Sequence, residues 1–147
     1  MSVRVLSSGA VASSARLAVI GDARVLELGM RDAGIKIPYQ VDARLDDVPW
    51  PAESVPMIDR ANLDPVSLTR GEISVESGRV CGETLKYMSD LALAGQLDGI
   101  CFAPLNKTAL HRGVGEFRDE HQMFASFTGH DGFFGKMNVI PSLRPSV

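Results

Sequence analysis

The feature that most constrains this fold is a buried strand that leads directly into a capped helix and then into a second strand. Residues 16–22, RLAVIGD, form an apolar run closed by Gly-Asp, which indicates a strand buried on both faces. Asp22 is a suitable N-cap for a helix predicted over residues 23–34. IKIPYQVD, residues 35–42, follows as a second strand, and Pro38 favours an edge position in the sheet.

The rest of the chain continues the alternation of strands and helices. The proline-rich stretch 43–70 is predicted to be a meandering connection, with at most a short strand at VPMID. Apolar residues at helical spacing predict a helix over 75–96. We then predict a third strand at GICFA (99–103), short helices in KTALHRG and RDEHQMFASFTG, and a last strand at 136–140.

This order predicts an α/β fold, with a mainly parallel sheet flanked by helices. We expect a poorly ordered leader over residues 1–15, a single domain over 16–140 and a tail over 141–147.

Composition excludes several classes of function. The net charge is −3, with 22% charged residues, so no basic surface for a nucleic acid is expected. No apolar run approaches the ~20 residues that a membrane span needs, and the protein is predicted to be cytoplasmic. Cys81 and Cys101 lack the spacing of a redox or zinc motif and are predicted to be buried free thiols.

Asn106 and Lys107 follow the predicted third strand at a turn that Pro104 enforces. Ligands of open α/β sheets bind beyond the carboxyl ends of the strands, so a lysine next to a helix start could hold a phosphate or carboxylate there. A capping asparagine and a solvated lysine explain the same residues, and the spacing leaves both interpretations open.

The three histidines do not form a metal motif. His121 falls at a predicted helix start, His111 in a short exposed helix and His130 in a loop. None has the spacing of a zinc site. Gly113 and Gly115 lack the preceding strand and the third glycine of a dinucleotide-binding loop.

Several segments, taken together in order, resemble a known family. The run GEISVESGRVCGETLKYMSDLALAGQLDGICFAPLNKTAL is similar to that of the 4-hydroxythreonine-4-phosphate dehydrogenases of vitamin B6 synthesis, and VIGDARVLE resembles their first half. The resemblance covers about residues 16–140. It implies oxidation of a secondary alcohol by NAD or NADP, assisted by a divalent metal such as zinc, magnesium or cobalt, and a phosphorylated small-molecule substrate.

The resemblance also implies which residues bind the substrate. Asn106 and Lys107 would line the cleft, and the Gly-His-Thr-Glu motif of the family would correspond to residues 119–122, which read Asp-Glu-His-Gln. We expect His121 and Gln122 to be substrate-binding, whereas a shift of one residue would put Glu120 in place of the histidine. These differences leave open another substrate, such as a different hydroxy acid or a dihydrodiol carboxylate.

Other parts of the family pattern have no counterpart in this chain. The opening Gly-Asp-Pro-Ala-Gly loop is absent, and the three metal histidines of the family come later than the strand predicted at 136–140. We therefore expect a partial version of a two-domain dehydrogenase: a fragment, inactive alone, with no metal ligands and no catalytic residue assigned. A non-catalytic anion-binding remnant, or a gene fragment that aggregates through its free sheet edge, are the alternatives. The family implies that a homodimer is possible.

Overall fold

The computed structural model describes residues 4, 6, 7, 15–42, 44–50 and 52–135. The strands and longer helices are β1 (Val19–Gly21), α1 (Ala23–Ala33), β2 (Tyr39–Val41), β3 (Val55–Asp59), α2 (Val75–Leu93), α3 (Lys107–Val114) and α4 (Glu120–Phe127). Two short 3-10 turns lie at Leu45–Asp47 and Pro65–Ser67. The predicted last strand at 136–140 and the tail lie outside the described residues, as does most of the predicted leader.

The β1–α1–β2 unit confirms the prediction, although both strands are shorter than expected. The side chain of Asp22 accepts a hydrogen bond from the backbone N–H of Arg24 at 3.0 Å and so caps α1. Gly34 ends the helix in the left-handed conformation, with φ of 64°, which glycine adopts without steric cost.

The strand within the proline-rich connection is the central strand of the sheet. The strand order is β1-β3-β2, and β3 pairs in parallel with both neighbours. Met57 lies opposite Val19 on one side and Val41 on the other. The sheet is therefore parallel, the α/β class is confirmed, and β2 lies at an edge as Pro38 predicted.

Two apolar clusters hold the domain together. The first joins Leu26 of α1 and Ile37 to Met57, which is fully buried in β3. The second joins Leu85 of α2, Leu110 of α3 and Met123 of α4. The second cluster fixes the two short helices against α2 and thereby brings their first turns into contact.

The predicted third strand at GICFA is wrong. Residues 99–105 form no strand and no backbone hydrogen bond to another described residue. Phe102 instead stacks on Phe124 of α4, with ring centroids 5.7 Å apart, and Leu105 packs against the second cluster. Only part of this apolar segment is packed, because residues 101–104 are exposed.

The two cysteines are free, as predicted, but both are exposed, so the prediction of burial is wrong. Neighbouring atoms still desolvate the Cys81 thiol enough to raise its pKa. Among the described helices, none combines the length and the apolar character that crossing a membrane would require.

Candidate functional site

Asn106 is the N-cap of α3. Its backbone is extended, with φ of −84° and ψ of 109°, and its side-chain oxygen accepts a hydrogen bond from the N–H of Ala109 at 2.9 Å. The sequence left open whether Asn106 is a helix cap, and the structure shows that it is. Asn106 is also exposed, so its NH2 group can still donate to a ligand.

Lys107 is the first residue of α3, and it reaches the first residue of α4. Its Nζ lies 3.8 Å from Oε2 of Glu120, within ion-pair range. The lysine side chain is 57% exposed, whereas that of Glu120 is only 14% exposed. This contact joins two segments that are separated in sequence, and both are segments that the family resemblance assigns to the substrate cleft.

The start of α4 is held by a reciprocal pair of hydrogen bonds. Asp119, the N-cap, accepts from the N–H of Gln122 at 3.2 Å, and Oε1 of Gln122 accepts from the N–H of Arg118 at 2.9 Å. This arrangement closely resembles a capping box, and the Asp-x-x-Gln spacing was the signal for it. Gln122 therefore uses its oxygen for the backbone and keeps only its NH2 group for a ligand.

The carboxylate of Asp119 remains ionised to lower pH than usual. The hydrogen bond from the backbone N–H of Gln122 is the main reason that the pKa of Asp119 is lowered. Partial desolvation raises this pKa, and the positive charge of Lys107 lowers it further. The N-cap of α4 therefore carries a negative charge that persists to low pH.

His121 lies beside both acidic residues. Its Nδ1 is 3.8 Å from Oδ1 of Asp119 and 3.8 Å from Oε1 of Glu120, and its side chain is partly exposed. His121 also lines a shallow pocket of about 240 Å³ next to α4. His121 is thus placed where it can contact both the cluster and a small molecule.

The same pocket includes His130, which the sequence analysis assigned only to a loop. Nε2 of His130 lies 3.1 Å from the carbonyl oxygen of Phe133, and the ring stacks edge-on against Phe134. His130 lies in a loop, as predicted. Gly129 and His130 repeat the Gly-His step of the family motif, and this step was the sequence signal for a second histidine near the site.

The remaining candidates do not join this site. His111 is exposed near the other end of α3, where Nδ1 lies 3.0 Å from the carbonyl oxygen of Phe117. Among the residues that the structure describes, no group of three His, Cys, Asp or Glu side chains could hold a metal ion. The divalent metal that the family implies therefore does not fit the described residues.

Comparison with known proteins decides the family. Residues 13–145 match the family described as pyridoxal phosphate biosynthetic protein PdxA. This chain belongs to the PdxA family. The match spans the whole α/β domain, including both segments of the candidate site.

Individual PdxA relatives agree. The chain is 31% identical over 142 residues to a D-threonate 4-phosphate dehydrogenase of Cupriavidus necator. This alignment covers 97% of the chain and 42% of the relative. A crystal structure of a 4-hydroxythreonine-4-phosphate dehydrogenase from Burkholderia phymatum superimposes with a TM-score of 0.77 at 31% identity, over 89% of this chain and 39% of that one. The corresponding enzyme from Klebsiella pneumoniae gives 0.76 at 25% identity, over 86% and 39%. The chain thus spans about two fifths of the length of these relatives.

Proposed function

We propose that this chain forms a substrate-binding part of a PdxA-type dehydrogenase, an enzyme that oxidises the secondary alcohol of a phosphorylated hydroxy acid with NAD or NADP. The contact between Lys107 and Glu120 supports this proposal most directly, because it joins the two segments that the family resemblance assigns to substrate. Family membership and the names of the relatives support the reaction class.

The roles of the four proposed substrate-binding residues follow from their positions. Lys107 supplies an exposed ammonium group for an anionic end of the substrate. Asn106 and Gln122 each retain an NH2 donor. His121 can donate to or accept from the substrate hydroxyl, since its ring borders the pocket. These residues bind and orient the substrate, and no chemical step is assigned to them.

Turnover by the isolated chain is not expected. The described residues contain no metal-ligand cluster, and the chain carries no glycine-rich dinucleotide loop. The purified chain, mixed with 4-phosphohydroxythreonine, zinc and NAD, should form no NADH above the rate of the buffer. A zinc-dependent increase in NADH absorbance would contradict this expectation.

Binding can be measured without turnover. Titration calorimetry with 4-phosphohydroxythreonine should show that Lys107→Ala weakens binding by about tenfold, because a charge-assisted contact is lost. Lys36→Ala removes the same charge at an exposed position before β2 and should leave the affinity unchanged. Equal affinities of the Lys107→Ala variant and the parent chain would refute the proposed role of Lys107.

A different phosphorylated hydroxy acid is the second candidate substrate. Residues 119–122 differ from the family motif, and one relative is named as a D-threonate 4-phosphate dehydrogenase. The same titration with D-threonate 4-phosphate distinguishes the two candidates, since the true substrate should bind more tightly. Equal affinities would mean that this chain contacts only the chemical groups that the two molecules share.

A further inference from the structure

Glu120 differs from the other residues of the site because one oxygen of its carboxylate is buried without a hydrogen bond in the described chain. It is the first residue of α4, it is largely buried, and its Oε2 is shielded from solvent without a hydrogen-bond donor in the described chain. A carboxylate oxygen in this state is costly unless a nearby charge compensates it. Lys107 is that charge, at 3.8 Å, which is too long for a hydrogen bond but within the range of an ion pair.

The charges around the site balance. Lys107 faces Glu120, and Arg118 lies 3.9 Å from Asp119. Two cations and two carboxylates therefore cancel when His121 is neutral. An incoming anion is attracted by Lys107 and repelled by the adjacent Glu120, and both effects grow in proportion to the charge of the anion. The carboxylate of Glu120 therefore offsets part of the advantage that Lys107 gives to a dianion over a monoanion.

We propose that Glu120 is a specificity-determining residue that limits the advantage of a dianion over a monoanion in binding to Lys107. This inference rests on the proposed function, in which Lys107 binds an anionic end of the substrate, and it adds a residue that tunes how strongly the charge of that end is favoured.

Two small anions test the charge dependence directly. Sulfate serves as the dianion and glycolate as the hydroxy-acid monoanion, and their binding is followed by NMR titration of the backbone amides of residues 106–107 and 119–122. Glu120→Gln keeps the size of the side chain and removes its charge. We expect this variant to bind glycolate about threefold and sulfate about tenfold more tightly, since doubling the charge doubles the electrostatic free energy and squares the ratio of affinities.

Two further variants serve as controls. Glu53→Gln removes the same charge from an exposed position in the connection before β3 and should change neither affinity. Glu120→Asn produces the same charge change with a shorter side chain, and it replaces Glu120→Gln if that variant does not fold.

The outcomes separate this inference from the proposed function. If Lys107→Ala weakens both anions but Glu120→Gln changes them equally or not at all, the charge-limiting role of Glu120 is overturned and the proposed function stands. If Lys107→Ala changes neither affinity, or neither anion binds any variant, the anion site itself is absent and both proposals fail.

Discussion

Individual polar side chains directly before the helices act as N-caps, a role that residue spacing alone does not establish. Asp22, Asn106 and Asp119 each accept a hydrogen bond from the first turn of the helix that follows. The side-chain oxygen of a polar residue at such a position is therefore already hydrogen-bonded to a backbone N–H of the helix. Asn106 caps α3 through its side-chain oxygen, and its remaining NH2 donor is the group that we propose for ligand binding.

Asp22 provides a prediction at this scale. Its side chain is almost fully buried, and the hydrogen bonds from Arg24, together with the backbone N–H of Leu63, lower its pKa from 3.8 to about 2. Because the folded-state pKa is the lower one, this stabilisation is present above pH 3.8 and is lost as the pH falls towards 2.

The substitution Asp22→Asn should therefore remove about 2 kcal/mol of pH-dependent stability. Urea unfolding at a series of pH values measures this effect as a difference that is full at neutral pH and shrinks in acid. Asp98→Asn, at an exposed position, should follow the parent chain at every pH. Parallel curves for the parent chain and Asp22→Asn would show that the Arg24 pairing contributes nothing.

At the scale of elements, the unusual feature is the close approach of α2 and α3. A Cβ atom added at Gly78 would overlap the carbonyl oxygen of Ala109, and one added at Gly113 would overlap the backbone of α2 near Arg79. The absence of side chains at both glycines lets the two backbones touch. The position of Lys107 relative to α4 depends on this contact, because α3 is seated on α2 through it.

Gly78→Ala should destabilise the protein by about 2 kcal/mol or more, because neither backbone can move away without separating the helices. In an isolated helix the same change would be stabilising by about 1 kcal/mol, so the sign of the effect is decisive. Gly99→Ala is the control, since a Cβ there meets nothing within 4 Å and its change in free energy of unfolding should be small. A Gly78→Ala variant as stable as the parent would mean that the helices are not in backbone contact.

At the scale of the whole molecule, hydrogen bonding is concentrated in the sheet and the helices. β3 is paired on both sides, whereas residues 99–105 make no backbone hydrogen bond to another described residue. Stability should therefore differ sharply between these two apolar segments, although their sequences look equally suited to strands.

Amide hydrogen exchange tests this difference. The bonded amides of β3 should be among the slowest to exchange, whereas the amides of residues 99–103 should exchange within the fastest class. A dilution series is the control, because protection of 99–103 that increases with protein concentration would reveal pairing between copies. Concentration-independent protection at 99–103 would contradict the unpaired state and restore the predicted third strand.

Local signals determined much of what the sequence could predict. The helix of residues 23–33, with its cap at Asp22 and its end at Gly34, needs only neighbouring residues, because caps and helical periodicity act within a few positions. The α/β class and the parallel strands followed from the order of such elements, and family membership followed from motifs that lie in order along the chain.

Only the tertiary structure decided which apolar segment enters the sheet and which charges meet. VPMID became the central strand and GICFA did not, because strand formation requires a hydrogen-bonding partner that local sequence cannot specify. Likewise, Lys107 and Glu120 face one another because Leu110 and Met123 share a core with α2. The sequence by itself determined which groups are available, and the packing of α3 and α4 determined that these two charges share one site.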